Sequence, residues 1–208
     1  MILKFDHISF SCEKQQVQSL PLTAGYELQF REMSLRNLGC KEAFFQKPHT
    51  DHDIYMYERK GALPIEITAY DSCFSGVSSM DMENDSILIY SPDPAETADF
   101  FMLLGLKSER LDKTAFVLKG SFILGGSITL RILQSDMAGW KLDKAGWSSL
   151  GFLSGDSQKE LRRMHDAGYE VTDAEELIVN QKAMNIGFCK GPFGEIIEII
   201  SLKRSGLK

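Results

Sequence analysis

Two segments near opposite ends of the chain share a pattern that limits how the chain can fold. Residues 61–70 read GALPIEITAY and residues 191–201 read GPFGEIIEIIS. Each opens with Gly and Pro turn chemistry and continues as an isoleucine-rich strand. Each strand carries one carboxylate near its middle, Glu66 and Glu198. Burying a carboxylate without a partner is costly, so these strands predict either a binding site or an edge strand that faces water.

The same pattern recurs, more weakly, at residues 125–133 (GGSITLRIL), where Thr129 takes the place of the carboxylate. Each copy closes a unit that opens with another strand, at residues 3–10, 86–90 and 148–153. Internal repetition at this spacing indicates repeated supersecondary units. The sequence therefore predicts an α+β fold of three βαβββ units, two of them paired into a cup-shaped sheet with helices outside.

The connectors suggest which units pair. We expect a first unit at 1–70, a polar linker at 71–85, and paired second and third units at 86–205, because the latter two share a short connector and the clearest helices. In the second unit, Asp93 predicts an N-cap and Pro94 the first helical residue. In the third, Ser157 is expected to cap the helix. A short helix is expected after the first strand, and a strand at 41–46.

Composition is that of an ordinary soluble chain. A net charge of −6 argues against a nucleic-acid surface, which needs clustered Lys and Arg. No stretch is long and apolar enough to predict a membrane span. The four cysteines show no CxxC spacing, which favours reduced thiols in a cytoplasmic protein. The expected partner is a small molecule.

Several motifs together suggest a family. They are the opening Asp6-His7-Ile8, the helix entry Ser91-Pro-Asp-Pro94 followed by Phe100-Phe101, and the closing strand Gly194–Glu198. With them the chain resembles the vicinal oxygen chelate superfamily, which includes glyoxalases, bleomycin-resistance proteins and extradiol dioxygenases. The resemblance implies that two units enclose a cup and that first and last strands supply the ligands of a divalent metal.

Carried over by position, the resemblance implies His7 and Glu66 as ligands from the first unit. The third unit keeps Glu198 but has Ser149 where a histidine would stand. The second unit has Ser86 and Thr129, and so lacks both ligands.

One histidine and two carboxylates form a donor set that suits Zn, Mn, Fe, Co or Ni. We therefore predict His7, Glu66 and Glu198 as metal ligands, with Glu66 and Glu198 also as catalytic carboxylates. Two geometries would assemble the site: the first and third units of one chain, or two first units across a homodimer. The simpler alternative is that His7 is a hydrogen-bonded core histidine.

Two classes of function remain open. The first is a metal-dependent isomerase, epimerase or lyase of the glyoxalase type, acting on a small oxygenated carbon acid. The second is a metal-free protein of the bleomycin-resistance type that binds a small molecule. The segment from His49 to Asp53 also looks rich in ligands but is expected to be a solvated loop, and His165 is expected on a helix surface.

Overall fold

The computed structural model describes residues 1–83, 85–111, 114–137 and 139–203. It is an α+β fold, mostly sheet with few helices, in which nine strands form a nearly closed, cup-like sheet. Five further strands form a second sheet. The predicted end of the third unit, at residue 205, lies outside the described residues.

The first stretch supplies four strands of the cup: β1 (Ile2–Glu13), β2 (Glu27–Arg36), β3 (Asp51–Glu58) and β4 (Ile65–Tyr70). The α-helix expected after β1 is absent from these described residues. Two short 3₁₀ segments, Lys14–Ser19 and Pro21–Thr23, stand there instead. Only Val17 of these segments is buried, and Pro21 cannot continue a helix. The βαβββ pattern is therefore not met in this stretch.

The expected strand at residues 41–46 is also wrong. The chain forms a 3₁₀ segment at Gly39–Phe44, between β2 and β3. Lys41 and Phe44 are the buried residues of this segment, so burial at every third residue is the 3₁₀ period and not the strand alternation.

The second stretch forms the five-stranded sheet and one helix. Its elements are β5 (Met80–Glu83), β6 (Ser86–Ser91), α1 (Pro94–Met102), β7 (Lys107–Arg110), β8 (Ala115–Ser121) and β9 (Ser127–Gln134). The predicted cap of α1 is confirmed, because the Asp93 carboxylate accepts bonds from the backbone N–H groups of Ala95 and Glu96. Phe100 and Phe101 of α1 are fully buried.

The third stretch completes the cup. Its elements are β10 (Gly146–Ser154), α2 (Ser157–Asp166), β11 (Glu170–Val171), β12 (Glu175–Val179), β13 (Lys182–Lys190) and β14 (Ile196–Leu202). The cap of α2 is Asp156, whose carboxylate accepts from Lys159 N–H at 3.0 Å, and not Ser157 as expected. The Ser157 hydroxyl instead bonds Ser201 Oγ at 2.9 Å.

The pairing of the stretches differs from the prediction. The first and third stretches share one sheet, in the order β11-β13-β14-β10-β1-β4-β3-β2, whereas the second forms its own sheet, β5-β6-β9-β8-β7. The reason lies in β5, a strand within the predicted linker at 71–85. β5 pairs antiparallel with β6 and so occupies the edge of β6 that corresponds to the edges by which β1 and β10 join each other. A strand edge that already has a partner cannot accept another.

Contacts between the two ends of the nine-stranded sheet nearly close the cup. Glu32 on β2 accepts a bond from Asn180 N–H at 2.8 Å, in the turn between β12 and β13. Glu175 on β12 accepts from Gly39 N–H at 3.2 Å and from Cys40 N–H at 2.5 Å. The 3₁₀ segment Gly39–Phe44 is thereby held against β12 and β13.

All four cysteines are free thiols. None of the helices in the described part of the chain has the length and hydropathy that a membrane crossing requires.

The cap and the core of α1 predict different losses of stability. Replacing Asp93 with Ala should lower the free energy of unfolding by about 1 kcal/mol, since it removes one cap. Replacing the fully buried Phe101 with Ala should lower it by about 3 to 5 kcal/mol, since it leaves a cavity. Denaturant unfolding of the two variants checks the order, and a larger loss at Asp93 would contradict this packing.

Candidate metal centre

The predicted ligands are brought together by the central strands of the cup. β1 pairs antiparallel with β10, and His7 lies opposite Gly151. β4 runs parallel to β1 and β14 runs parallel to β10, so that Glu66 lies beside Ser9 and Glu198 beside Gly151. The two carboxylates therefore occupy equivalent positions on either side of the β1–β10 pair.

This register also identifies the position where a second histidine would stand. Ser149 lies two residues before Gly151 on β10, just as His7 lies two residues before Ser9 on β1. Ser149 is buried but provides only a hydroxyl. The site is thus one imidazole short of a symmetric set.

His7, Glu66 and Glu198 form a tight buried cluster. Each offers one ligand atom, and these atoms all lie within 4.8 Å of one another. The Nε2 atom of His7 is 3.8 Å from Glu66 Oε1 and 3.8 Å from Glu198 Oε2. Nε2 is buried and makes no hydrogen bond. A buried nitrogen without a partner, facing two carboxylates, is the arrangement expected where a cation binds.

Asp6 orients the His7 imidazole through Nδ1, the ring nitrogen that does not face Glu66 and Glu198. Its carboxylate lies 3.1 Å from His7 Nδ1 and accepts the proton of that nitrogen, so that in the neutral imidazole the lone pair stands on Nε2, where a metal would take the place of a second proton. Neighbouring side chains on a strand normally point to opposite faces. A break in the β1–β10 register between Phe5 and His7 changes this alternation locally and lets Asp6 reach the ring.

Gly151 makes room for the His7 ring. A Cβ atom at this position would lie 2.4 Å from His7 Cε1 and 2.7 Å from Nε2. The ring therefore lies directly over the β10 backbone, and only glycine allows this approach without displacing it.

The charges of the cluster are mutually dependent. Burial disfavours a charged imidazole, but Glu66, Asp6 and Glu198 outweigh it and raise the pKa of His7 well above 6.5. Burial raises the pKa of Glu66, and the charge of Glu198 adds to this effect. At Glu198 the effect of burial is outweighed by His7 and Lys41, which lower its pKa. Without a metal, the cluster is balanced by a proton on His7.

The cluster lies at the base of a pocket of about 260 Å³ inside the cup. Apolar side chains, among them Met56, Leu177 and Met184, form its walls, and Lys41 lines it as well. A larger cleft of about 1000 Å³ shares Lys4 and Glu58 with this pocket and is otherwise lined by Ser86 and Thr129 together with charged residues of both signs. None of the three clustered residues lines that cleft, so the smaller pocket is the candidate site.

The other histidines serve different roles. His49 lies 3.2 Å from the buried Asp143, whose carboxylate also accepts the N–H groups of Gln46 and Lys47. These bonds hold the loop together. The expected solvated loop is therefore wrong in part, since Thr50 is exposed but His52 and Asp53 are buried in β3. His52 is fully buried, and burial together with Lys41 lowers its pKa to about 2. His165 is exposed on α2, as expected.

Sequence reasoning missed three residues of the site. Regular alternation along β1 predicts Asp6 on the face opposite to His7, and only the irregular register places its carboxylate beside the His7 ring. Gly151 gives no signal by itself, because its role depends on the ring opposite. Lys41 lies with Glu42 in the otherwise apolar stretch 38–45, and a charged pair there is the one sequence signal that could have been used.

The similarity of this chain to known proteins is distant, and it is found among solved structures. No family model matches the sequence, and no curated protein matches it. Among solved structures, a putative dioxygenase from Bacillus subtilis matches with a TM-score of 0.44 and 13% identity, over 97% of this chain and 63% of that one. A glyoxalase I mutant from Zea mays matches with a TM-score of 0.42 and 11% identity, over 95% of this chain and 67% of that one.

A glyoxalase/bleomycin resistance protein/dioxygenase from Alicyclobacillus acidocaldarius matches with a TM-score of 0.43 and 17% identity, over 57% of this chain and 92% of its own. This chain spans less than two thirds of the Bacillus subtilis protein. Similarity at this level says nothing about reaction or ligand, which have to be inferred from the site's own residues.

The close approach of the His7 ring to Gly151 predicts that one added methyl group at this position weakens metal binding. Gly151→Ala should displace the His7 ring and weaken binding of any metal at least tenfold, because the new Cβ overlaps the ring. Gly155→Ala is the matched control, since a Cβ there meets only Leu3 Cδ1 at 3.9 Å. Zn²⁺ titration of both variants checks this, and equal affinities would contradict the placement of His7.

The raised pKa of His7 predicts how stability depends on pH in chelator-treated protein. A group whose pKa is higher in the folded state stabilises the fold below its unfolded pKa and loses that contribution as pH rises through the folded value. His7→Gln should therefore cost most stability near pH 6 and progressively less toward pH 9. Urea unfolding at several pH values measures this, and a cost that grows with pH would contradict it.

Proposed function

We propose that the chain is a metal-dependent protein of the glyoxalase type, an isomerase, epimerase or lyase that acts on a small oxygenated carbon acid. The observation that supports this most is the buried, unbonded Nε2 of His7, which faces two buried carboxylates at 3.8 Å. Leaving three such groups together without a cation is costly.

The donor set fits a divalent metal. His7 Nε2 and one oxygen each from Glu66 and Glu198 would hold it, with Asp6 as the outer partner of the imidazole. Imidazole with carboxylates suits Zn, Mn, Fe, Co or Ni, and three protein ligands leave positions for a substrate. Bound there, such a metal would act as a Lewis acid that polarises a carbonyl or stabilises an enediolate.

Glu66 and Glu198 differ in the bonds they already make. Glu66 Oε1 accepts the Thr68 hydroxyl at 3.0 Å and lies 3.5 Å from Ser9 Oγ, which fixes the carboxyl group and leaves Oε2 to take other roles. In the metal-free cluster burial raises the pKa of Glu66, whereas at Glu198 the effect of burial is outweighed by His7 and Lys41, so Glu66 takes up a proton more readily than Glu198 does. Glu66 is therefore the better candidate for the proton-transferring group, with Glu198 as the charged ligand.

The walls of the pocket keep water away from this chemistry. Ile54, Met56 and Ile186 line it, and these side chains are more than nine-tenths buried. A low-dielectric surrounding strengthens interactions between charges at the base of the pocket.

The alternative is a metal-free small-molecule binding protein of the bleomycin-resistance type. One observation favours it: a protonated His7 together with the buried Lys41 could balance Glu66 and Glu198 without a metal. The absence of a second histidine at Ser149 points the same way. In either case we expect a cytoplasmic protein with a small-molecule partner, and a homodimer remains part of the proposal.

Metal titration separates the two functions. Chelator-treated protein is titrated with Zn²⁺, Mn²⁺, Co²⁺ and Ni²⁺ while its melting temperature is followed. At a hundredfold excess over Kd, binding to the folded state should raise the melting temperature by roughly 5 to 10 °C. Binding should weaken on acidification, because a proton competes for His7 Nε2.

Variants assign the effect to the cluster. His7→Ala, Glu66→Gln and Glu198→Gln should each abolish the metal-induced shift. His165→Ala is the matched control, since this histidine is exposed on α2 and does not line the pocket, and should respond as the unaltered protein does. If no metal stabilises the protein, or the cluster variants respond like the control, the metal-free binding function replaces the proposal.

A further inference from the structure

Lys41 is a buried cation within the candidate pocket. It belongs to the 3₁₀ segment Gly39–Phe44, which packs against β13, and its residue exposure is only 5%. Phe44 of the same segment packs on Phe188 of β13, with ring centroids 5.4 Å apart. Lys41 and the cluster of His7, Glu66 and Glu198 line the same pocket.

The ammonium group of Lys41 has too few acceptors for a buried charge. Its Nζ lies 3.4 Å from His52 Nε2 and 5.7 Å from the centroid of the Phe188 ring. Within the described residues, no carboxylate oxygen lies within 4.0 Å of it. An ammonium carries three donors, and His52 can accept at most one of them. A buried charge with unused donors is retained only where something else pairs with it.

Binding of a divalent metal would leave the Lys41 ammonium with still less counter-charge. Glu66 and Glu198 are the carboxylates whose charges interact with Lys41 at longer range. Once they neutralise a divalent cation, Lys41 is left without a nearby counter-charge. Asp6 does not take this role, because its carboxylate lies on the other side of the imidazole, on Nδ1. The pocket would then present an unpaired positive charge beside the metal.

The shape and lining of the pocket limit what can pair with Lys41. Its volume of about 260 Å³ is below the range of drug-sized ligands, so the ligand is small. The walls are mainly apolar, and the more exposed charged residues of the lining are Lys4, Lys182, Asp6 and Glu58. The two lysines and the two carboxylates offset each other in charge, so the buried Lys41 is the cation that remains for an anionic ligand.

We propose that Lys41 is the anion-binding residue of this pocket, and that the ligand is a small monocarboxylate with an apolar substituent. Its carboxylate pairs with the Lys41 ammonium, and its substituent lies against Met56, Leu177 and Met184. The inference rests on the proposed function in one respect, namely that an oxygen on the α-carbon of the ligand faces the metal held by His7, Glu66 and Glu198.

Binding of isovalerate tests the role of Lys41. Isovalerate is a small branched carboxylate, and methyl isovalerate is its uncharged match. Both are titrated into metal-loaded and into chelator-treated protein, with affinity followed by protein-observed NMR. Isovalerate should bind at least tenfold more tightly than the ester, and Lys41→Met should remove this difference. Lys182→Met is the matched control, an exposed lysine of the pocket lining, and should change affinity less than threefold.

The outcomes separate this inference from the metal site. If isovalerate binding depends on Lys41 but no metal binds, the proposed function fails and the anion site stands. If a metal binds but Lys41→Met leaves isovalerate affinity unchanged, the anion site is wrong and the metal site stands. Should Lys41→Met fail to fold, Lys41→Gln and the preference of the unaltered protein for isovalerate over its ester decide the question. Equal affinity for acid and ester overturns the inference.

α-Hydroxyisovalerate tests the second contact. With metal present it should bind more tightly than isovalerate, because its hydroxyl reaches the metal, and the gain should vanish in His7→Ala. A gain that persists in chelator-treated protein would contradict the orientation of the ligand.

Discussion

The antiparallel pair of β1 and β10 is the contact on which the candidate site depends. It joins the first and third stretches of the chain into one sheet and places His7 opposite Gly151. The parallel neighbours β4 and β14 then bring Glu66 and Glu198 to equivalent positions on either side. Because side chains alternate along a strand, a shift of one residue in this register would turn His7 out of the cup. The site exists only because two distant segments meet in this register.

The ligand residues could be predicted from the sequence, but their meeting could not. Glu66 and Glu198 stand out because a lone carboxylate among isoleucines needs a partner, and His7 stands out as the histidine on an opening strand. Which units pair is decided by free strand edges. β5 covers the edge of β6, and nothing in the polar sequence around Met80–Glu83 indicates a strand that does so. The short connector and the clear helices of the second and third units therefore led to the wrong prediction that these two units pair.

The parts of the site that sequence reasoning missed have a common physical cause. Asp6 reaches His7 through an irregularity in strand register, and Gly151 matters because a ring from another strand lies over it. Lys41 enters the pocket on a 3₁₀ segment where alternation predicted a strand. Local periodicity does not encode such features, because each depends on a tertiary neighbour. They are also the features that decide between a metal site and a cluster balanced by protons.

X-ray absorption spectroscopy of protein loaded with one equivalent of Zn²⁺ tests the central claim most directly. The account predicts a first shell of nitrogen and oxygen at about 2.0 to 2.2 Å, with the outer-shell scattering of a single imidazole. That imidazole signal should be absent in His7→Ala and retained in His165→Ala. A shell of oxygen alone, a shell containing sulfur, or an imidazole signal that survives the loss of His7 would contradict a metal centre formed by His7, Glu66 and Glu198.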